Sequence, residues 1–104
     1  MKVYHSVGLD IHDGKADQAW EWAIKITKYL NEHFPETKVE LLHQIGGQTN
    51  RVGWLVRHES LAALEAYHEK AEADAGCQQL TAEALAQGFF IGSSHKEGIF
   101  RIRS

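Results

Sequence analysis

Alternation of apolar and polar residues is the clearest pattern at the start of the chain. Between residues 2 and 11, one side of an extended chain would carry Val3, His5, Val7, Leu9 and Ile11. The positions between them are small or polar apart from Tyr4. A period of two is typical of a strand with one buried face, so residues 2 to 11 are predicted to form the first strand.

The same period returns in two later segments. Residues 37 to 45 and 51 to 58 are predicted as the second and third strands, with Val39 and Trp54 on their in-phase sides. The turn between them is assigned to Gly46, Gly47, Gln48, Thr49 and Asn50. Near the end of the chain, an extended loop is predicted to lead into a last strand around Ile99 to Arg103.

Helical patterns separate these strands. A long helix is predicted to end near Phe34, because Pro35 cannot continue it. Ser60 is a good N-cap for a second helix that opens at Leu61. After a break at Gly76, a short third helix is predicted, with Leu80 and Leu85 pointing inward and Gly88 at its end.

The long first helix is apolar over roughly 220° of its circumference, whereas a surface helix needs about 100°. Trp20 and Trp22 are two residues apart and cannot both face one sheet. Either this helix is wedged between the sheet and a neighbouring helix, or part of it is buried at a subunit interface.

The predicted order is β, α, β, β, α, β with an extra short helix before the last strand. This order predicts one α+β domain over residues 1 to 104, ferredoxin-like, with an antiparallel sheet and its helices on one face. The bare face would carry Tyr4, Leu42, Leu55 and either Phe100 or Ile102. A second copy packed sheet on sheet would cover this apolar surface, so the chain is predicted to form a homodimer.

Composition narrows the class of partner. The formal net charge is −3, from 11 Lys and Arg against 14 Asp and Glu, which disfavours nucleic-acid binding. Cys77 is the one cysteine, so a reducing compartment is favoured. No apolar run approaches a membrane span, and the first ten residues are typical of a strand and not of a signal peptide. We therefore expect a cytoplasmic protein without a membrane partner.

Two segments resemble a known family. The stretch "GGQTNRVGWLVRHESLAALEAYHEKAEADAGCQQLTAEA" resembles the strand, Ser-Leu helix and acidic-Ala region of NIPSNAP-type proteins, and "IGSSHKEGIFRI" is similar to their final strand. The resemblance implies the dimeric α+β barrel superfamily, which also contains antibiotic biosynthesis monooxygenases and haem-degrading monooxygenases. Its members are typically homodimers. The implied chemistry does not transfer with the fold.

Some monooxygenases of that superfamily use a polar residue on the first strand, a Trp on the third and a His on the next helix. The matching positions are His5 or Ser6, Trp54 and His68, although Asn is usual on the first strand. The resemblance thus suggests His68, Trp54 and His5 as catalytic candidates. A ligand-binding set of Tyr4, Ser6, His43, Trp54 and His68 is predicted around the same pocket. The alternative is that Trp54 is a core residue and His68 is held by a hydrogen bond.

No metal site or cofactor is predicted. The seven histidines show neither HxH nor HExxH spacing, and no cysteine pair supports them. Haem remains open because one histidine can ligate it. The leading hypothesis is a homodimer with a small apolar pocket for an organic ligand in each subunit. The alternatives are a cofactor-independent or haem-linked monooxygenase that uses this pocket, and a structural or interaction module without a cavity.

Overall fold

The computed structural model describes residues 2–47 and 50–104. Gln48 and Thr49 of the predicted turn lie outside the described residues, as does Met1. The elements in chain order are β1 (Val3–Ile11), α1 (Ala16–His33), β2 (Lys38–His43), β3 (Arg51–His58), α2 (Leu61–Ala73), α3 (Ala75–Gln87) and β4 (Phe90–Arg101). This is the predicted ferredoxin-like α+β order, including the extra helix before the last strand.

The four strands form one antiparallel sheet in the order β2-β3-β1-β4. Trp54 of β3 pairs with Val7 of β1 on one side and with Leu41 of β2 on the other. Successive residues of a strand point to opposite faces, so this register sorts the side chains into two sets. The covered face, under the helices, carries Val3, His5, Val7, Val39, Trp54, Val56 and His58. The open face carries Tyr4, Ser6, Gly8, Leu42, Leu55, Arg57 and Phe100.

Intramolecular packing accounts for both tryptophans of α1. Trp22 is buried, and its Nε1 donates to the Leu80 carbonyl at 2.9 Å, which ties α1 to α3. Trp20 is half-buried, with its ring centroid 4.6 Å from that of His43. Ile24 is 60% exposed and leaves an apolar position on the outer side of the helix.

The break between α2 and α3 falls at Asp74 and not at Gly76. The Asp74 carboxylate accepts from the Cys77 backbone N–H at 2.9 Å and from the Tyr29 hydroxyl at 2.6 Å, so it caps α3 and links it to α1. Gly76 lies in the first turn of α3, where a Cβ would come within 2.0 Å of the Tyr29 hydroxyl oxygen. The predicted cap at Ser60 and the end at Gly88 are confirmed.

Two predictions about the last third of the chain are wrong. Leu85 does not point into the core but is 79% exposed, and Leu80 alone of the two is buried. The last strand begins at Phe90, well before Ile99, because β1 supplies backbone partners along its length. The register shifts between Gly8 and Asp10, where the Asp10 backbone N–H donates to the Ser94 hydroxyl at 2.8 Å.

Candidate functional site

A cavity of about 630 Å³ lies between the covered face and the three helices. Its walls are mainly apolar, and they include Val39 and Val56 from the sheet and Ile26 and Leu30 from α1. Leu85 also lines this space, although most of its side chain is exposed to solvent. An apolar cavity with a few polar groups has the composition expected of a site for a small organic molecule.

His5 supplies the polar end of the cavity from β1. The side chain is buried, with 5% of the residue exposed, and its Nε2 lies 2.5 Å from Oε1 of Glu97. A carboxylate can only accept, so Nε2 carries the proton and donates it. Glu97 reaches this position because β4 pairs Glu97 with Val7, on the same face as His5. The other carboxylate oxygen is 3.5 Å from His95 Nε2.

Two more imidazoles surround His5. The His68 ring, on α2, meets the His5 ring edge-on at a centroid distance of 4.9 Å. His58, on β3, is 3% exposed, and its Nε2 has no hydrogen-bond partner among the described residues. Burial lowers the pKa of His58 below its ordinary value, and the neighbouring His5 and His68 lower it further. The cluster therefore favours a neutral His58.

Trp54 forms part of the cavity wall, and its indole N–H donates a hydrogen bond within the protein. Its Nε1 donates to Thr27 Oγ1 at 3.0 Å, and the Thr27 hydroxyl donates to the Ala23 carbonyl at 2.7 Å. The indole also meets the Trp22 ring edge-on at 6.2 Å. These contacts fix the orientation of the indole, which leaves its apolar surface as the part available to a ligand.

Tyr67 and Cys77 also line the cavity, and both stay protonated near neutral pH. Burial raises the pKa of the Tyr67 hydroxyl to about 12. Burial, followed by the nearby Asp74 carboxylate, raises the pKa of the Cys77 thiol to about 11. A thiol with a raised pKa is a weak nucleophile, so Cys77 is a wall residue and not a reactive centre.

The structure brings three of the predicted site residues together and separates the others. His5, Trp54 and His68 all line the cavity. Tyr4 and Ser6 lie on the open face, since they alternate with His5 along β1. His43 lies at the exposed end of β2 against Trp20, outside the cavity. The predicted ligand-binding set is therefore divided between two faces of one sheet.

The polar residues of the cavity or the histidine cluster that the sequence patterns did not indicate are Glu97, His58, Tyr67, Glu72, Gln78 and Thr81. Tyr67 directly precedes His68 on α2, and this spacing was a usable signal. His58 shares the in-phase set of β3 with Trp54, which was a second signal. Glu97 lies 92 residues from His5, in a segment predicted as a loop, so no local pattern indicated their hydrogen bond.

A second depression, of about 650 Å³, lies mainly on the open face. Gly8 and Gly53 face each other across β1 and β3 there. A Cβ on Gly8 would lie 2.9 Å from the Arg51 guanidinium, so this glycine lets Arg51 lie across the sheet. Arg51 donates to the Asp10 carboxylate at 2.6 Å and to the Ser94 carbonyl at 3.1 Å.

Within residues 2–47 and 50–104, no group of three or more His, Cys, Asp or Glu side chains is arranged to hold a metal ion. The same described ranges contain no helix that is both long and apolar enough to cross a bilayer.

No family model and no curated protein matches the chain. Its fold is similar to that of an uncharacterised NIPSNAP domain protein from Burkholderia xenovorans, with a TM-score of 0.78, 14% identity and coverage of 98% of this chain and 95% of that chain. A putative antibiotic biosynthesis monooxygenase from Nitrosomonas europaea gives a TM-score of 0.71 at 12% identity, covering 98% and 90%. A cofactor-independent oxygenase from Streptomyces nogalater gives 0.66 at 17% identity, covering 99% and 94%.

At these identities the likeness establishes the fold. The resemblance to NIPSNAP-type and antibiotic biosynthesis monooxygenase-like proteins is confirmed at that level. Shared architecture does not carry chemistry with it, because side chains of a site differ freely on one backbone.

Proposed function

We propose that this chain forms a homodimeric α+β barrel and binds a small, mainly apolar organic ligand in the cavity between the covered face and the helices. The cavity carries the proposal: about 630 Å³ of space, walled by aliphatic and aromatic side chains, with His5 and His68 at one end. A mainly apolar space of this volume, open to solvent on one side, is within the size range that small organic ligands occupy. The lone cysteine, Cys77, supports a cytoplasmic setting for this activity.

Homodimerisation is supported by the state of the open face. Phe100 is 56% exposed and Leu42 is 44% exposed, and both line the depression on the open face. Beside them, Arg51 pairs with Asp10, and Arg57 contacts Tyr4 by a hydrogen bond and by its guanidinium 4.8 Å from the ring centroid. Exposed apolar side chains favour burial against a second copy, and the Arg51–Asp10 pair could enter such an interface without leaving either charge isolated. Light scattering should then give the mass of two 11.7 kDa chains.

Ligand binding is testable with N-phenyl-1-naphthylamine, an uncharged apolar fluorophore. Ala71 lines the cavity, so Ala71→Phe should fill the space and weaken binding of the fluorophore by about tenfold or more. Ala62→Phe is the matched control, since Ala62 lies on the same helix but is exposed. Equal binding by both variants, or none by the original chain, would reject the cavity as a ligand site. The structural-module hypothesis would then be the better description.

A second candidate function is a cofactor-independent monooxygenase that uses the same cavity. The observation in its favour is the buried hydrogen bond from His5 to Glu97, next to His68 and Trp54. An imidazole oriented by a carboxylate can accept a proton from a bound ligand. Oxygen uptake with a panel of hydroxylated aromatic compounds tests this function. It should require His5, and His5→Gln should abolish the uptake while leaving fluorophore binding within about threefold.

The haem-linked version fits the residues poorly. His68 offers a ligating nitrogen at the cavity, as a haem protein requires. The cavity lining contains no Lys or Arg among the described residues to pair with the two haem propionates. A haemin titration should therefore give no Soret shift that depends on His68. A shift lost in His68→Ala would restore the haem hypothesis.

A further inference from the structure

We propose that Glu97 makes the cavity selective for uncharged ligands and against carboxylates, and so determines the class of molecule that binds. This inference rests on the proposed ligand-binding function. It concerns the charge of the ligand and not the existence of the site. The proposal rests on one contact. His5 is buried and lines the cavity, and its Nε2 lies 2.5 Å from the Glu97 carboxylate.

The permanently charged side chains that line the cavity or contact its lining through His5 are negative. Glu72 is part of the lining, and Glu97 lies directly behind His5. No Lys or Arg of the described chain lines the space. A ligand carboxylate would leave water for a site that provides no permanent cation, while two carboxylates lie nearby. Transfer of an unpaired anion into such surroundings is strongly unfavourable.

The histidines at the cavity do not offset its negative charge. If His5 gains a second proton, Glu97 already neutralises the imidazolium, so little positive charge is left for a ligand. His58 is buried, and its lowered pKa keeps its ring neutral. His68 is then the one imidazole at the cavity without a carboxylate contact among the described ion pairs. An imidazole can exchange hydrogen bonds with a hydroxyl or carbonyl group, whereas it supplies no permanent cation for a ligand carboxylate.

The charge of Glu97 can be removed by mutation without changing other features of the site. Its side chain is 44% exposed on β4, which is an edge strand, so removal of its charge should leave the core packing intact. It contacts the cavity through His5 and is not itself part of the cavity wall. A change at Glu97 therefore alters the charge of the polar end without altering the volume available to a ligand.

The experiment compares two compounds of matched shape, 2-(2-naphthyl)ethanol and 2-naphthylacetate, as competitors of N-phenyl-1-naphthylamine at neutral pH. In the original chain the alcohol should bind at least about tenfold more tightly than the carboxylate. In Glu97→Gln the ratio should fall below about threefold, mainly because the carboxylate binds more tightly once one of the two nearby negative charges is removed. Glu97→Met should lower the ratio of alcohol to carboxylate affinity in the same way. This variant replaces Glu97→Gln in the test if Glu97→Gln fails to fold.

The control is Glu83→Gln, which makes the same change in net charge on the outer side of α3. Glu83 pairs with Lys25 at 3.2 Å and does not line the cavity, so this variant should keep the original selectivity. If the fluorophore and both competitors fail to bind the original chain, the proposed function is overturned together with the selectivity. If they bind but the carboxylate binds as tightly as the alcohol, or both Glu97 variants keep the original ratio, the selectivity is overturned and the ligand site stands.

Discussion

The covered and open faces of the sheet are built from alternate residues of the same strands, yet they carry different basic residues. On β1 and β3, the covered face holds His5 and His58, and the open face holds Arg51 and Arg57. An imidazole can lose its charge when it is buried, whereas a guanidinium cannot. The face closed within the chain therefore accepts histidines, and the arginines are kept on the face that solvent or a partner can reach.

The two faces also differ in how their apolar side chains are covered. Trp22 and Phe90 pack over Trp54 on the covered face, with ring centroids 5.5 to 6.3 Å apart. On the open face, no helix among residues 2–47 and 50–104 lies over Phe100, and its ring lies close to Gly98 on its own strand. The first face is covered by the helices of the chain itself, and the cavity between sheet and helices opens to solvent. The second can be closed only by another molecule.

The largest difference between the faces should appear in folding stability. Trp22→Ala is expected to lower the free energy of unfolding by about 3–5 kcal/mol, because a buried indole and its hydrogen bond to Leu80 are lost. Phe100→Ala should cost less than about 1 kcal/mol in dilute, monomeric protein, because Phe100 is 56% exposed. Urea denaturation measures both. Similar losses for the two variants would contradict the distinction between a closed and an unclosed face.

The second effect concerns self-association. Phe100→Asp is expected to raise the dimer dissociation constant about 100-fold, or about 2.7 kcal/mol, because two unpaired carboxylates would enter the interface. Dilution series followed by light scattering measure this constant. Ile24→Asp is the matched control, since Ile24 is equally exposed but lies on α1. If Ile24→Asp dissociates the dimer and Phe100→Asp does not, the interface lies on the helices and the open face has another role.

The third effect is a dependence of stability on pH that belongs to the covered face. The folded state lowers the pKa of His58, so the unfolded state binds this proton more readily. Stability should therefore fall as the pH decreases below the ordinary value of 6.5 and should level off below the folded pKa. His58→Gln should flatten the urea midpoint across this window. His12→Gln, at an exposed position, should leave the slope unchanged, and equal slopes in all three proteins would exclude His58 as the cause.

The smallest effect is expected outside both faces. Lys25 pairs with Glu83 at 3.2 Å on the exposed side of α1 and α3, with more than two fifths of each side chain in solvent. Lys25→Met should change the free energy of unfolding by less than about 0.5 kcal/mol, because solvent screens an exposed ion pair. Thermal and urea unfolding set this baseline for the other variants. A loss above about 1 kcal/mol would contradict the expectation that solvent screens this pair.

Much of the element order was predictable from short-range patterns. The alternation in β1 and β3, the stop at Pro35 and the cap at Ser60 each act over a few residues, and the structure contains all of them. The site was predictable only in part. A family resemblance suggests Trp54 and His68, whereas the alternation along β1 puts Tyr4 and Ser6 on the face opposite His5 without indicating which face lines the pocket.

The sequence by itself determined where the strands and helices form, because caps, turn residues and hydrophobic periods act locally along the chain. Only the tertiary structure decided which distant residues contact each other. The start of β4 at Phe90 depends on pairing with β1, and the hydrogen bond from His5 to Glu97 depends on the register of that pair. The cavity needs three strands and three helices at once. These features depend on contacts between residues far apart in the chain, and a local pattern contains no information about strand register.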